Sequence, residues 1–394
     1  MVGCKPSVYF LKIISMKIGI LTLPLHTNYG GILQAYALQT VLERMGHEVV
    51  VFDTPNKSSL PPLWKLPACF AKRTIWKLIG KADRIFIEHY YNTIRPVITK
   101  NIQIFVDNYM HRMVIRSFKE LHAKDFDAIV VGSDQVWRLS YFCNGWGKTS
   151  IENAYLSFAK RWKTKRIAYA ASFGTDIWEY NVRQTNECKK LLQLFDAVSV
   201  REEGGKSLCK LYLDVIAQHV LDPTLLLGQE DYISLFAKSN TPQSKGTLLY
   251  YVLDETEELK NIIRKVAEQK KMVPFAVNNP LEYDDSKTLQ ERIKPSVETW
   301  LRGFYDAEFV ITDSFHACAF SIIFKKQFVV LGNKKRGMSR FESLLKMFGL
   351  EDRLVDKETN INFLKDIDYS SVYIKYNHIK DNSLSFLAKS LYTL

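Results

Sequence analysis

The 394-residue sequence has few cysteines, and their spacing matches no known structural pattern. The six cysteines never approach a Cys-x-x-Cys pair, and Cys318 lies inside the apolar run HACAFSII. A disulfide framework or a thiolate zinc site is therefore not expected. No apolar stretch reaches the roughly 18 uninterrupted residues that span a bilayer, and Lys12 interrupts the only candidate signal peptide. These features predict a soluble, cytoplasmic protein whose fold begins at Met16.

Several catalytic signatures are also missing. No GxGxxG follows a strand, and neither HExxH nor GxSxG occurs, which argues against a dehydrogenase, a zinc protease and an α/β-hydrolase. The run GWGKTS at 145–150 resembles the end of a phosphate-binding P-loop, but the glycine that such a loop requires is replaced by Phe142. We therefore expect neither an NTP-binding P-loop nor a metal site.

Basic residues are concentrated in one region of the chain. The protein has 54 Lys and Arg against 42 Asp and Glu, a formal net charge of +12. Residues 56–124 contain thirteen of these basic residues and four of the acidic ones, a net charge of +9. The same residues interrupt the alternation of strands and helices, which indicates a basic, mainly helical insertion.

The sequence leaves three interpretations open for this insertion. A helix over residues 70–87 would place four cations on one side, namely Arg73, Lys77, Lys81 and Arg84. The insertion is then either a solvated helical hairpin or a platform on the inner face of the membrane, with these cations against lipid headgroups. A nucleic-acid site is the third interpretation, although no binding fold or stacking motif accompanies the charge.

Outside the insertion, strand and helix patterns alternate. The strand KIGILTL, the helix ILQAYALQTVLERMG and the strand EVVVFD form a first βαβ unit, and further strands are predicted at 127–137, 166–174 and 196–203. The second half repeats the alternation, with strands at 246–254, 272–279, 308–314 and 327–333 and helices at 255–271, 295–305 and 315–324. This pattern predicts an α/β fold of parallel strands whose C-terminal ends open onto a ligand crevice.

The two halves predict two Rossmann-like domains that face a cleft. We assign residues 16–210 to an N-terminal domain on the acceptor side, which includes the insertion at 56–124. Residues 211–375 form a C-terminal domain on the donor side, and residues 376–394 form a C-terminal helix.

Polar residues at the ends of strands are the main candidates for chemistry. His316 follows Asp313 and Ser314 at a strand-to-helix junction, where backbone NH groups and the helix dipole favour an anion. Alternatively, Asp313 or Ser314 caps the helix and His316 packs in its first turn.

Two groups of cations also follow strands. Arg201, in AVSVREEGG, either faces a ligand or lies in solvent and pairs with the neighbouring glutamates. The run NKKRGMSR at 333–340 supplies four cations after a strand. Such a run suits a phosphate group, but a solvated turn explains it as well.

Seven blocks occur in a familiar order: NYGGILQAYALQ, VVGSDQVWR, YAASFG, SVREE, LDPTLLL, ITDSFHACAFSIIF and NKKRGMSRFESLLKMFGLEDR. Together they cover about Met16 to Arg353, and in this combination the chain resembles the polysaccharide pyruvyl transferase family. The resemblance implies a GT-B-like fold of two Rossmann-like domains. It also implies transfer of pyruvate from phosphoenolpyruvate to two hydroxyls of a sugar, which forms a ketal and releases phosphate.

The resemblance also suggests roles for individual residues. The family's motif histidine matches His316, its strand-end arginine matches Arg201, and a further cationic contact to the donor matches Lys335 or Arg336. Phosphoenolpyruvate carries about three negative charges, which arginine can bind in bidentate fashion and lysine as a point charge. A histidine that titrates near neutrality can act as the acid/base. Phosphoenolpyruvate is then a co-substrate, and no cofactor is expected.

The acceptor is expected on the N-terminal domain. Two glycines in the first βα loop let a ligand approach the backbone, and Asp134 can accept a sugar hydroxyl or act as its base. A helix cap or an inter-domain hydrogen bond is the alternative for Asp134. The candidate acceptor residues are Asn28, Tyr29, Gly30, Gly31, Asp134 and Gln135.

The proposed acceptor is a cell-surface polysaccharide or its lipid-linked precursor, which would bring the enzyme to the inner face of the membrane. A nucleotide-sugar glycosyltransferase on the same architecture is the alternative enzyme, and it would need a nucleotide site in the C-terminal domain. A non-catalytic protein that binds a membrane surface or nucleic acid is the alternative of another class.

Overall fold

Two parallel β-sheets form the framework of the protein. The computed structural model describes residues 15–57, 60–81, 84–147, 149–254, 256–332, 338–355 and 364–392. Within them, seven strands build the first sheet: β1 (Lys17–Leu21), β2 (Glu48–Asp53), β3 (Arg112–Val114), β4 (Ala128–Val131), β5 (Lys165–Ala171), β6 (Ala197–Val200) and β7 (Gln218–His219). Their spatial order is β3-β2-β1-β4-β5-β6-β7, and every pair is parallel.

The second sheet is also parallel. Its described strands are β8 (Leu248–Tyr251), β9 (Pro274–Phe275), β10 (Phe309–Thr312), β11 (Gln327–Leu331) and β12 (Leu354–Val355), in the order β12-β11-β10-β8-β9. The strand order reverses between β1 and β4 in the first sheet and between β8 and β10 in the second. Ligands of open parallel sheets bind outside the carboxyl ends of the strands at such reversals.

Helices cover both sheets. They are α1 (Tyr29–Arg44), α2 (Leu66–Leu78), α3 (Ile87–Ile98), α4 (Lys100–Tyr109), α5 (Leu139–Gly145), α6 (Val182–Leu192), α7 (Glu203–Leu208), α8 (Gln229–Lys238), α9 (Glu257–Lys270), α10 (Val297–Asp306), α11 (Phe315–Ile323), α12 (Ser339–Phe348) and α13 (Tyr369–Tyr392). One hydrophobic cluster joins the two domains, from Ile20 and Leu33 to Trp300 and Phe320. All four residues of β4 are buried, because helices cover both faces of a parallel sheet.

The predicted α/β fold of two Rossmann-like domains is confirmed, and its elements differ from the expected domain limits in two places. Strand β7 extends the first sheet to His219, beyond residue 210, and two residues are too few for a periodic pattern. Helix α13 begins at Tyr369 rather than at 376. It spans both domains, because Tyr373 Oη donates to the Ile323 carbonyl (2.9 Å) and Tyr392 Oη lies 3.0 Å from His47 Nε2.

The basic insertion is mainly helical but also supplies a strand of the sheet. Strand β3 pairs with β2, so residues 56–124 include the edge of the first Rossmann-like unit. The expectation of one helix over 70–87 is wrong: α2 ends at Leu78, and Gly80 adopts a φ of +69°, which favours glycine. Among the described residues, no helix is long and apolar enough to cross a membrane.

Candidate active site

The carboxyl ends of β4 and β6 meet the amino end of α11. Ser133 and Asp134 follow β4, and Arg201 follows β6. Parallel strands bring their carboxyl ends to one edge of the sheet, and the boundary between the domains places α11 of the second domain against this edge. Arg201 and His316, the two residues that match the family's motifs, therefore lie on opposite sides of the domain boundary.

Arg201 is almost completely buried, with 3% of its surface exposed, so the expectation of solvent exposure is wrong, although its Nε does lie 4.0 Å from Oε2 of the neighbouring Glu202. Its Nη1 donates to Oδ2 of Asp222 (2.9 Å), and its Nη2 lies 3.6 Å from Oδ1 of Asp134. Its Cζ stands 4.4 Å from the ring centre of Phe315, which is a cation–π distance. The Nε and Nη2 atoms have no hydrogen-bond partner among the described residues.

Burial acts to lower the pKa of Arg201, but the neighbouring carboxylates outweigh it. Asp222, Asp134 and Glu202 together raise the pKa above the ordinary value of arginine. Arg201 therefore keeps its positive charge while two of its three nitrogen atoms remain available to an additional acceptor. Buried donors of this kind are costly unless a partner binds them.

Asp222 is the residue that holds Arg201 in place. Its Oδ2 accepts hydrogen bonds from Arg201 and from Ser133 Oγ (2.8 Å), and its Oδ1 accepts from the backbone and hydroxyl of Thr224 (3.0 and 2.7 Å). Burial acts to raise the pKa of Asp222, whereas the neighbouring cations and the Thr224 hydrogen bonds lower it, and the net pKa is below the ordinary value. Asp222 is therefore an ionised anchor for the arginine.

His316 lies in the first turn of α11 and points toward the first domain. Its Nε2 is 3.8 Å from Oδ2 of Asp222 and has no hydrogen-bond partner in the described part of the chain. Its ring packs against Gly30, where a Cβ atom would lie only 2.1 Å from the imidazole Nδ1. Ser314 makes no side-chain capping hydrogen bond to α11, so that alternative is wrong for the serine.

Burial lowers the pKa of His316 below its ordinary value. Asp222 and Asp134 act to raise this pKa, while Arg201 and Arg340 act to lower it. The net direction is downward, so the imidazole is neutral at neutral pH. An anion bound beside it would favour the protonated form.

Arg340 is a second buried arginine at this site. It belongs to the first turn of α12 and is 7% exposed. Burial lowers its pKa to about 10, and the positive charge of Arg201 adds to this effect. Two guanidinium groups that repel each other inside the protein are a physical signature of a site for an anion.

Sequence reasoning missed Asp222 and Arg340 as individual site residues. Asp222 belongs to the LDPTLLL block, where a lone aspartate in an apolar run was a usable signal. Arg340 is the last residue of the NKKRGMSR run, which was recognised only as a group of cations. Lys335 and Arg336, the expected donor contacts in that run, lie outside the described residues.

Three of the expected acceptor residues lie close together, and one of them, Asp134, is 3.6 Å from Arg201. A Cβ atom at Gly31 would lie 3.1 Å from Oδ2 of Asp134 and 3.4 Å from Cγ of Asn28. Asp134 has a φ of +65°, a left-handed conformation that aspartate tolerates better than most residues and that is common at functional sites. The side chains of Asn28 and Asp134 therefore both reach the backbone at the start of α1.

Two other expected acceptor residues have structural partners. Tyr29 is buried, its hydroxyl donates to the Pro295 carbonyl (2.7 Å), and its ring stacks on Trp300. Gln135 Oε1 accepts from Arg138 Nη1 (2.9 Å). These contacts place the Tyr29 hydroxyl in the domain interface and direct the Gln135 carbonyl toward Arg138.

A cavity of about 1310 Å³ lies between the insertion, the first domain and the second domain. His26 and Thr27 line it and lie in the loop that precedes α1, and Gly30 in the first turn of that helix touches His316. The remaining walls come from the insertion, from the residues around Trp146 and from the second domain, and they include Tyr91, Arg95, Arg116, Tyr283 and Arg292. No cluster of His, Cys, Asp and Glu that could hold a metal ion occurs in the ranges that the structure describes.

A family model for polysaccharide pyruvyl transferase matches residues 28–335. The chain belongs to this family. The match includes Gly30, Asp134, Arg201, Asp222 and His316, which the fold brings together, whereas Arg340 lies just beyond it. The match to the polysaccharide pyruvyl transferase family thus covers most of the chain and includes residues of both domains.

Solved structures match nearly the whole chain at low sequence identity. They include UGT89C1 of Arabidopsis thaliana complexed with UDP-L-rhamnose, with 9% identity, 96% of this chain and 99% of that chain covered, and a TM-score of 0.49. They also include UDP-GlcNAc 2-epimerase from Methanocaldococcus jannaschii, with 14% identity, 92% of each chain and a TM-score of 0.45. MurG of Acinetobacter baumannii matches with 9% identity, 95% and 99% coverage and a TM-score of 0.42. A search of curated proteins gives no match.

Proposed function

We propose that this protein transfers the pyruvyl group of phosphoenolpyruvate to two hydroxyls of a saccharide, with formation of a pyruvate ketal and release of phosphate. The saccharide is a cell-surface polysaccharide or its lipid-linked precursor. The observation that carries the proposal is the pair of buried arginines, Arg201 and Arg340, next to the imidazole of His316.

Phosphoenolpyruvate suits these arginines because of its charge. At neutral pH it carries about three negative charges, divided between a carboxylate and a phosphate that guanidinium groups bind in bidentate fashion. Such an anion would offset the repulsion between Arg201 and Arg340 and would accept hydrogen bonds from Nε and Nη2 of Arg201. The amino end of α11 adds a favourable dipole. Lys335 or Arg336 remains the proposed additional cation.

The first chemical step joins the acceptor to the donor. A sugar hydroxyl oxygen bonds to C2 of phosphoenolpyruvate, Asp134 accepts the hydroxyl proton, and protonated His316 donates a proton to C3, which becomes a methyl group. The bound anion raises the pKa of His316, and the Asp222 carboxylate, 3.8 Å from Nε2, stabilises the imidazolium. Asp222 acts here as a positioning residue.

The second step closes the ketal. A second hydroxyl of the same sugar bonds to the former C2 carbon while the bond from that carbon to the phosphate oxygen breaks. The proton of this hydroxyl passes to the imidazole, which the first step left neutral, and from there to the departing phosphate. His316 thus acts as acid in the first step and as base and acid in the second.

The large cavity supports a saccharide as the acceptor. Its volume of about 1310 Å³ exceeds that of a typical small-molecule pocket, so it has room for more than one sugar unit. Arginines and the rings of Tyr91 and Tyr283 line it, and these groups suit hydroxyls and the apolar faces of sugar rings. We place the saccharide in this cavity because the loop that lines it, at His26 and Thr27, leads directly into the first turn of α1, where Gly30 contacts His316.

The experiment is incubation of the protein with phosphoenolpyruvate and a panel of nitrophenyl and lipid-linked sugars, followed by measurement of phosphate and product mass. We expect equal amounts of phosphate and of a product heavier by one pyruvate less one water. His316→Gln and Arg201→Lys should abolish or strongly reduce both signals. Release of UDP from UDP-sugars, without phosphate from phosphoenolpyruvate, would instead indicate a glycosyltransferase, and affinity for neither donor would indicate a binding protein.

A further inference from the structure

Helix α2 is attached to the protein along a single stripe. All 13 residues of α2 are described, and none is fully buried. The ring of Phe70 packs against Phe86 (5.2 Å between centroids), and Arg73 forms a bidentate ion pair with Glu88 (2.7 Å for both hydrogen bonds). The half-buried residues recur at helical spacing and form the attached side: Leu66, Cys69, Phe70 and Arg73.

The rest of α2 and the turn before it expose large apolar side chains to solvent. Leu78 is 81% exposed and Trp64 is 77% exposed. Contiguous exposure of this kind is rare on a soluble protein and marks an interaction surface. We call this the α2 surface, and its apolar members are Leu63, Trp64, Ile75, Trp76, Leu78 and Ile79.

The α2 surface carries positive charge and no negative charge. From Thr54 to Ala82 the sequence contains six Lys and Arg and neither Asp nor Glu. Two of its lysines stand over its tryptophans, with Lys65 Nζ 4.5 Å from the centre of Trp64 and Lys72 Nζ 4.3 Å from that of Trp76. The exposed lysines are Lys65, Lys72, Lys77 and Lys81.

The outward-facing cations are those expected from sequence only in part, because Lys77 and Lys81 are exposed whereas Arg73 and Arg84 are half-buried. Arg73 belongs to the attached stripe and pairs with Glu88. Arg84 pairs with Asp285 of the second domain and lies over the ring of Tyr90. The outward charge therefore comes from lysines that lie among the exposed tryptophans and leucines.

We propose that the α2 surface binds the surface of an anionic phospholipid membrane, with α2 parallel to the bilayer. Tryptophan, leucine and isoleucine side chains enter the boundary between headgroups and acyl chains, and the lysines contact phosphates. In this arrangement both the apolar side chains and the lysines of the α2 surface contact the bilayer.

Other partners would favour either the lysines or the apolar side chains of the α2 surface, but not both. A second copy of the chain would bring the same positive charges together, which is unfavourable. Nucleic acid would attract the lysines, but exposed aliphatic side chains such as Leu63 and Leu78 gain little from a phosphate backbone. A bilayer accommodates the charge and the apolar groups together.

The position of α2 connects this surface to the large cavity. Leu60 and Pro62, just before α2, and Ile87, at the start of α3, line the cavity. A docked α2 would therefore hold the cavity near the bilayer. Binding to the membrane stands independently of the pyruvyl-transfer proposal, whereas delivery of a lipid-linked acceptor to the cavity depends on it.

The test is co-sedimentation of the full chain with vesicles of phosphatidylcholine, with and without phosphatidylglycerol. We expect binding to the anionic vesicles at low salt, weaker binding at high salt and little binding to neutral vesicles. Trp64→Ser with Leu78→Ser should weaken binding at least tenfold, and so should Lys72→Glu with Lys77→Glu. Neither pair touches the site around His316, so activity on a soluble nitrophenyl sugar should not change.

Matched control variants test whether the same changes at exposed residues outside the α2 surface also weaken vesicle binding. Ile216→Ser with Ile374→Ser changes apolar residues that are 91% and 74% exposed elsewhere, and Lys210→Glu with Lys238→Glu makes the same change of charge. Both controls should bind as the unaltered protein does. Absence of binding to anionic vesicles at low salt, or equal losses in the controls, would overturn the proposal. Duplex DNA binding that is lost with the lysine pair alone, together with absence of vesicle binding, would identify a nucleic-acid site instead.

Discussion

Gly30 and His316 touch across the boundary between the two domains, and no side chain larger than hydrogen fits at residue 30. A Cβ atom there would lie 2.1 Å from Nδ1 and 2.2 Å from Cγ of the imidazole. Helix α1 of the first domain therefore sets the position of the histidine on α11 of the second. The geometry of the proposed acid/base depends on how the domains meet.

Gly30→Ala should displace His316 and reduce pyruvyl transfer on the order of 100-fold, because a shift of about 1 Å in a catalytic group has an effect of this size. Steady-state rates of phosphate release measure the change. Gly228→Ala is the matched control, since its Cβ would meet only the Asp231 carboxylate at 3.9 Å. A fully active Gly30→Ala enzyme would contradict the proposed role of His316.

Arg201→Lys should weaken the affinity for phosphoenolpyruvate by about 10- to 100-fold, the range expected when hydrogen bonds to a charged group are lost. Lysine keeps the charge but cannot reproduce the guanidinium donors that have no other partner among the described residues. Titration calorimetry with phosphoenolpyruvate measures the change. Arg302→Lys, on α10, should leave the affinity unaltered, and an unchanged affinity in Arg201→Lys would remove this residue from the donor site.

Arg340→Met should make the free protein more stable and at the same time abolish donor binding. A pKa lowered from the ordinary value of arginine to about 10 corresponds to a penalty on the order of 3 kcal/mol for the buried charge. Methionine has a similar length and no charge, so the penalty disappears. Thermal denaturation should show a higher midpoint without ligand and no further increase on addition of phosphoenolpyruvate. A lower midpoint would show that Arg340 stabilises the fold.

Stability should fall as the pH drops below about 6.5, in part because of His316. The unfolded chain binds a proton at the ordinary histidine pKa, about 6.5, whereas burial lowers the pKa of His316 in the native protein. The unfolded state therefore holds more protons in this range, and the free energy of unfolding decreases with falling pH.

His316→Gln should reduce this pH dependence, as measured by urea denaturation at pH 7.5 and 5.5. Burial also lowers the pKa values of His47 and His219, so part of the dependence should remain. The exposed His89→Gln variant serves as the control. Identical pH dependence in His316→Gln and the unaltered protein would contradict a neutral, buried His316.

Tyr283→Ala should weaken the acceptor affinity without affecting that for the donor. Tyr283 is 77% exposed and lines the large cavity from the second domain. Loss of one ring contact with a sugar should raise the KM for the acceptor by about 3- to 10-fold. The KM for phosphoenolpyruvate should stay the same. Tyr305→Ala, also partly exposed but outside the cavity, is the control, and equal effects on both KM values would place the acceptor elsewhere.

The sequence predicted the fold well because its strands are continuous apolar runs. β4 (AIVV) and β10 (FVIT) are buried throughout, as strands between two helical layers must be. Two elements were not predictable in this way. The two-residue β7 has no periodicity, and β3 (RMV) lies in a basic region whose composition favoured helix.

The sequence alone determined the α/β architecture, the family and the candidacy of His316 and Arg201, because strand-end polar residues and ordered motifs are local features. Only the tertiary structure decided that Asp222, 21 residues from Arg201 along the chain, anchors this arginine, and that Arg340 repels it. The same holds for the contact of Gly30 with His316 and for the ion pair of Arg73 with Glu88 that attaches α2. Burial, charge repulsion and contact depend on distance in space, and these residues become neighbours only in the folded chain.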